Sequence, residues 1–243
     1  MEHAKASNLP IYRFDNLRKF SEVMAVVTTR FGGISEGPYT ELNLGLHVGD
    51  DCEKVINNRE ILSKAIGIIP TDITCGEQTH GTKVQIVTKD DKGRGATVWK
   101  NGFPNTDALV TNAKNTPLAV LTADCAAIFF YDPENQAIGI VHSGRKGTEN
   151  EISIKVIQTM HDTFGTCAEN LIAGIGPCIY PCCYDVDLPN TIRNQLLEAG
   201  VRAENIEVSG ICTSCHNDIF YSYRARGDNP ETGRFMNLIM LKG

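Results

Sequence analysis

The chain has 243 residues, 42% of them hydrophobic, and carries 23 Lys plus Arg against 29 Asp plus Glu, a formal net charge of −6. That length and apolar content support one large domain or two small ones, and an acidic balance with no basic arm argues against nucleic acid or an anionic membrane as partner. The opening MEHAKASNLPIYRF lacks the apolar stretch of a signal peptide, and no run reaches the roughly 18 apolar residues of a membrane-spanning helix, so a cytoplasmic location is expected.

Residues 23–30 (VMAVVTTR) read as a strand, followed by a Gly-rich loop through Gly49. Asp50-Asp51 can open a helix to about residue 66, with Val55, Leu62 and Ile66 on one face. Residues 83–89 (KVQIVTK) alternate as a half-buried strand should, 90–106 read as a polar, Gly-rich excursion, and 107–110 as a short strand. The runs 118–130 (LAVLTADCAAIFF) and 137–142 (AIGIVH) are apolar and read as buried strands joined by the turn composition YDPENQ into an antiparallel hairpin. A helix is expected over 149–164, with Ile152, Val156, Met160 and Phe164 at intervals of four. A strand is expected at 171–175, a helix opened by Pro189 with Ile192 and Leu196 inside, and another strand at 205–209. No internal repeat or long linker interrupts the chain. Strands outnumber helices and at least one pair is antiparallel, so the fold class is α+β, a single compact domain with helices packed outside a curved or doubled sheet.

Polar residues set into these apolar runs are the candidates for chemistry. Cys125 follows Thr122-Ala123-Asp124, His142 closes the next strand, and His80 sits in Gln78-Thr79-His80-Gly81. If Tyr131 pairs with Gln136, Cys125 lies directly across from His142, with Cβ atoms roughly 5 Å apart; a one-residue slip would send the two to opposite faces. Two imidazoles and a thiolate suit Zn²⁺, and three protein ligands leave a fourth position for water or substrate. Against this, free Cys usually packs as a small hydrophobe, and a lone His at a strand end usually serves structure. Asp124 could orient Cys125 from behind, although alternation along a strand would point it the other way.

Nine cysteines in a reducing compartment suggest metal ligands, reactive thiols or buried fillers rather than disulfides. Cys212-Thr213-Ser214-Cys215-His216 has the form of a haem-attachment motif, discounted for want of an export signal. Cys178, Cys182, Cys212 and Cys215 could instead make a second, structural zinc site, with scattered thiols the alternative. Arg30 before Gly32-Gly33 is either an anion-binding guanidinium or a solvated charge. Gly174-Ile175-Gly176-Pro177 is either an anion nest or a plain turn. The guanidiniums of Arg224, Arg226 and Arg234 read mostly as surface charge, with one of them able to face an anion.

These residues resemble the laccase-domain family, once called polyphenol oxidases and associated with purine nucleoside phosphorylase activity. The likeness spans nearly the whole chain: 28–35 (TTRFGGIS), 42–50 (LNLGLHVGD), 78–81 (QTHG), 106–108 (TDA), 122–125 (TADC), 176–179 (GPCI), 222–224 (SYR) and 232–234 (TGR). The resemblance implies His80, Cys125 and His142 as zinc ligands and catalytic residues, with copper as a further possibility at the same place. It implies a β-sandwich-like α+β fold with flanking helices. It also implies phosphorolysis of adenosine, inosine, guanosine and methylthioadenosine, and deamination of adenosine. Purine nucleosides and phosphate are then the partners, with Arg30 and Asn43 near phosphate or substrate. The family motif after the hairpin is His-Ala-Gly-Trp-Arg-Gly; this chain has His142-Ser143-Gly144-Arg145-Lys146-Gly147, which replaces an aromatic wall by a cation. A true multicopper laccase needs about ten His ligands, and this chain has six His. A cysteine amidase acting on peptidoglycan precursors, with Cys125 as nucleophile and His142 or His80 as base, remains a rival.

Overall fold

Strands that are apolar at every position need cover on both faces, and the architecture supplies it with four layers. The computed structural model describes residues 1–7, 9–227 and 231–243. In chain order its strands are β1 (Glu2–Ala6), β2 (Leu9–Arg13), β3 (Val23–Thr28), β4 (Thr74–Cys75), β5 (Val84–Ile86), β6 (Ala108–Thr111), β7 (Leu118–Thr122), β8 (Ala126–Asp132), β9 (Ala137–Ser143), β10 (Ile172–Ile175), β11 (Ile206–Val208) and β12 (Phe235–Leu241). The helices are α1 (Cys52–Ile66), α2 (Arg145–Glu149), α3 (Ile152–Phe164) and α4 (Leu188–Glu198). Two six-stranded sheets form, one ordered β1-β2-β3-β12-β7-β4 and the other β11-β10-β8-β9-β6-β5. Both are mixed: β4–β7, β5–β6 and β10–β11 run parallel and the other pairs antiparallel.

Alternation along each strand divides its side chains between two cores. In β8, Ala127, Phe129 and Tyr131 face the space between the sheets, while Ala126, Ile128 and Phe130 pack under α3 and α4 with Val156, Met160, Ile192 and Leu196. In β12, Phe235, Ile239 and Leu241 point between the sheets, and Met236, Leu238 and Met240 point to α1, where Leu62 and Ile66 meet them. The single-domain α+β sandwich with flanking helices is therefore the fold observed.

Helix boundaries follow their caps. Asp51 accepts from the N–H groups of Glu53 and Lys54 at the start of α1, and Gly67 closes it in the left-handed region at φ 75°. Asp187 caps α4 by accepting from Asn190 N–H, with a proline in the first turn. Between α1 and the loops stands Arg59, fully buried. It donates to the carbonyls of Leu44, Gly95 and Ala96, tying the loop after β3 to the 90–106 excursion.

Four expectations change. The apolar run 118–130 is two strands in different sheets, because the chain crosses from β7 to β8 through 123–125, where Asp124 takes φ 89°. The β8–β9 register places Ala127, not Cys125, opposite His142, and Asp132 opposite Ala137. The shift is two residues, so the face each side chain occupies is preserved. The helix expected at 149–164 is α2 and α3, broken where Glu151 adopts φ 57°. The central strand β12 and the β1–β2 hairpin lie outside the expected strands; β12 shows no alternating pattern because both its faces are buried. Among the described residues no helix is long and apolar enough to cross a membrane.

Gly174 on β10 lies against the buried Phe14 ring, where an added Cβ would come within 2.8 Å of Cδ1. Gly174→Ala should lower the unfolding free energy by about 1–2 kcal/mol, since overpacking outweighs the gain from reduced chain entropy. Urea unfolding monitored by circular dichroism measures this; an unchanged or raised midpoint would show that Phe14 can give way.

Candidate metal centre

β6 and β9 run antiparallel with Ala108 opposite Val141, and His142 N–H donates to Asp107 C=O at 2.7 Å, extending that ladder by one step. Asp107 and His142 are thus direct cross-strand neighbours on one face, and Asp107 Oδ1 lies 2.8 Å from His142 Nδ1. That contact reserves Nδ1 and leaves Nε2 to face outward. The same carboxylate accepts backbone N–H groups from Thr79 at 3.2 Å, His80 at 3.0 Å and Gly81 at 2.7 Å. Three successive amides around one anion form a nest. They hold His80 at φ 61°, a conformation that costs roughly 1–3 kcal/mol, while charge-assisted hydrogen bonds contribute about 1.5–3 kcal/mol each. Gln78 fastens the loop from the other side, donating through Nε2 to Leu121 C=O and accepting Leu121 N–H, both at 2.8 Å.

Cys125 enters from the crossing between the sheets, and the turn there is pinned by Asp124. Asp124 Oδ1 accepts from Thr213 Oγ1 and Oδ2 from Arg224 N–H, each at 2.7 Å. Its side chain therefore points away from Cys125 and orders the segment beyond Ile211. Gly144 faces the thiol: a Cβ there would stand 2.7 Å from Cys125 Sγ and 3.0 Å from His80 Cδ2.

His80, Cys125 and His142 converge, with their donor atoms all within 4.8 Å of one another. The two rings meet edge-on, centroids 4.8 Å apart. Burial opposes ionisation of Cys125, yet the adjacent His142 outweighs it and draws the thiol down to about 6. Burial likewise disfavours a charged His142, but the Cys125 thiolate and Asp107 push it up to about 9. Asp107, despite its burial, stays below the ordinary carboxylate value because His142 and the backbone amides of Gly81 and Thr79 stabilise its charge. A ready thiolate and two imidazole nitrogens, one held in its tautomer by a carboxylate, are the donor set of an open metal site.

The trio forms the floor of a cavity of about 570 Å³, in the size range of small-molecule sites. Leu121, Ile179, Leu188, Tyr184 and Tyr223 supply apolar wall; Arg145, Lys146, Arg224 and Arg234 supply positive charge. Arg224 stacks on Tyr184, 4.7 Å from the ring centroid. Arg145 pairs with Glu149 and Asp185, at 2.8 and 3.3 Å. His47 completes the wall, stacked on Trp99 at 4.2 Å. Desolvation against the cavity wall, helped by the Arg234 and Arg59 charges, lowers its pKa below the ordinary imidazole value, which favours the neutral ring.

Arg30 and Asn43 are outside the residues lining the cavity. The Arg30 guanidinium donates to the carbonyls of Thr40 and Asn217 and lies over the Tyr221 ring. Asn43 is fully buried. Its Nδ2 donates to Asp50 Oδ2 at 2.9 Å, and its Oδ1 accepts the N–H groups of Gly45 and Arg234. Asn43 thus acts on the cavity through Arg234, whose side chain lines it. Gly176 N–H is engaged by Ala127 C=O, so the 174–177 segment serves packing. The sequence assigns no role to Asp107 beyond its place in the 106–108 segment of the family resemblance; its pairing with the His142 strand appears only in the folded sheet.

A family model described as multi-copper polyphenol oxidoreductase laccase matches residues 24–188 and 185–242. The purine nucleoside phosphorylase YlmD of Bacillus subtilis (strain 168) is 35% identical over 250 residues, covering 91% of this chain and 89% of that protein. The purine nucleoside phosphorylase of Bacteroides thetaiotaomicron is 30% identical, covering 94% and 95%. The crystal structure of YlmD from Geobacillus stearothermophilus superposes with a TM-score of 0.92 at 32% identity, covering 100% of this chain and 98% of that one.

Asp107→Asn should weaken the metal affinity of the trio by about 10–100-fold while the sandwich persists, since Asn cannot hold both His142 Nδ1–H and the 79–81 amides as an anion does. Competition against a chromophoric chelator, with far-ultraviolet circular dichroism as the folding control, tests this; unchanged affinity would remove Asp107 from the site.

Proposed function

The chain belongs to the multi-copper polyphenol oxidoreductase laccase family, and we propose that it is a zinc-dependent purine nucleoside phosphorylase that also deaminates adenosine. The observation that carries this reading is the convergence of the His80, Cys125 and His142 donors and four cationic side chains on one cavity. Relatives named purine nucleoside phosphorylase, aligned along nearly the full chain, support the substrate class. The substrates are adenosine, inosine, guanosine or methylthioadenosine, with inorganic phosphate.

Two imidazoles and one thiolate fit zinc, and copper also accepts such a set. A zinc ion held there supplies Lewis acidity toward an oxygen of phosphate or water. The chain's own residues do the rest. Arg234, Arg224, Arg145 and Lys146 gather the phosphate charge on the cavity wall, and the apolar side chains of Leu121, Ile179 and Leu188 with the Tyr184 ring receive the purine face. In phosphorolysis a phosphate oxygen bonds to ribose C1′ as the C1′–N9 bond breaks, and the purine leaves with the proton that the hydrogen phosphate gives up. Positive charge that develops on the sugar is stabilised by the phosphate anion these cations hold in place. Neutral His47 can exchange hydrogen bonds with a base without adding charge to the cavity. Asn43 supports the site at a distance through Arg234, while Arg30 ties Thr40 to Asn217 away from the cavity. Arg145 and Lys146 replace the Trp-Arg of the family motif, and because Glu149 and Asp185 pair with Arg145 and offset its charge, the exchange chiefly removes an aromatic wall.

A second reading rests on the Cys125–His142 pair, whose shifts describe a thiolate beside an imidazolium, the state of a nucleophilic cysteine. An amidase would use it without metal. Copper-dependent polyphenol oxidation at the same donors is the remaining alternative.

Chromatography of products from adenosine, with and without phosphate, on zinc-loaded and chelator-treated protein separates these. Phosphate-dependent adenine lost on chelation is expected, with phosphate-independent inosine reporting deamination. No product from any nucleoside under these conditions would overturn the reading. Cys125→Ala should abolish zinc retention by the trio and turnover together; full activity in metal-free Cys125→Ala protein would sink the metal mechanism. Arg234→Ala should raise KM for phosphate by about 10- to 100-fold, the worth of one charge-assisted hydrogen bond, and steady-state kinetics at saturating nucleoside measures it.

A further inference from the structure

Beside the cavity lies a second group of convergent donors. Cys182 and Cys183 sit in the turn after β10, where Cys183 N–H donates to Tyr180 C=O at 2.9 Å. Cys212 and Cys215 sit in the segment that ends at Arg224. The two stretches run side by side: Cys178 and Cys212 form an isolated parallel bridge, and Thr213 N–H reaches Cys178 C=O at 3.0 Å. The four Sγ atoms all lie within 4.8 Å of one another. Cys215 Sγ is 3.5 Å from Cys182 Sγ and 3.4 Å from Cys183 Sγ. We propose that Cys182, Cys183, Cys212 and Cys215 form a closed tetrathiolate zinc site that staples the 178–187 loop to the 211–224 segment.

The distances select this chemistry. A disulfide needs sulfurs about 2.05 Å apart, well short of these separations. Four sulfurs each about 2.3 Å from a tetrahedral zinc stand roughly 3.8 Å from one another, close to the spacings observed. Four soft donors and no open position mark a structural ion rather than a catalytic one. The ligand set differs from that expected from the sequence: Cys178 is fully buried and belongs to the packed core under α3 and α4, and Cys183 takes its place.

The surroundings give the staple a purpose. The hydrophobic cluster here is small, with Ile179, Leu188 and Cys212 buried and Tyr180, Tyr184 and Val186 packed against them. Ile179, Tyr184 and Leu188 come from one stapled stretch, Tyr223 and Arg224 from the other, and all line the cavity. A metal crosslink would hold these two walls together where apolar burial is thin. It would also shield three otherwise exposed thiols from oxidation.

Zinc content of the full chain, purified under reductant and measured by inductively coupled plasma mass spectrometry, tests the proposal independently of any activity. Two zinc ions per chain are expected. Cys125→Ala should keep one, and replacing zinc by cobalt(II) in that variant should give thiolate-to-cobalt charge transfer with the intense visible bands of a tetrahedral site. Cys183→Ser with Cys215→Ser should keep the other ion and lower Tm. Should that double variant fail to fold, the count in unaltered chain and the cobalt spectrum of Cys125→Ala still decide. Folded Cys125→Ala protein without metal would overturn the tetrathiolate site, as would a cobalt spectrum lacking sulfur charge transfer. One ion per chain, lost on Cys183→Ser with Cys215→Ser and kept on Cys125→Ala, would keep this site and remove the His80–Cys125–His142 trio as a metal centre.

Discussion

The Asp107 carboxylate is the interaction on which the site depends. It is fully buried, sits directly across the β6–β9 ladder from His142, and accepts from His142 and from three consecutive backbone amides around His80. One anion therefore fixes the tautomer of one imidazole and the left-handed backbone of the other. A buried carboxylate without such partners would be costly to ionise; here each stabilising donor is also a positioning contact. The third donor, Cys125, is brought in separately, and its thiolate shares charge with the imidazole that Asp107 orients.

What brings Cys125 in is the passage between layers. β7 lies in one sheet and β8 in the other, so the residues between them emerge at the end of the sandwich. Asp124 takes a positive φ to make the turn, and its side chain turns away to hold Thr213 and the backbone of Arg224. The crossing thus presents a thiol on one side and anchors a cavity wall on the other. Gly144 leaves the space in which the thiol and the His80 ring approach.

Above the donors the wall is cationic and aromatic. Arg224 over Tyr184, Arg145 beside Asp185, and Arg234 carried by Asn43 place guanidiniums around an apolar pocket. Arginine suits both tasks, because its planar fork grips oxyanions and its face stacks on rings. The loops that carry this wall have little apolar core of their own, which is where the four clustered cysteines lie.

Local pattern determined much of this chain. The cap Asp51, the turn composition at 131–136, the apolar face of α3 and the two largely apolar runs announced helices and strands, and the residue types of His80, Cys125 and His142 announced their chemistry. Those signals are local because capping, turn geometry and ligand softness depend on a few neighbouring atoms. Pairing decided the rest. A strand buried on both faces shows no alternation, so β12 carries no local signal and β7 and β8 read as one strand; the polar Thr122-Ala123-Asp124 interrupts that run, but a polar interruption alone does not say that the chain changes sheets. The register that sets Ala127, and not Cys125, opposite His142 depends on two strands fitting together. Likewise Asp107 gains its role, Asn43 its indirect one and Cys183 its partners only across distances in sequence that the folded sheets and loops close.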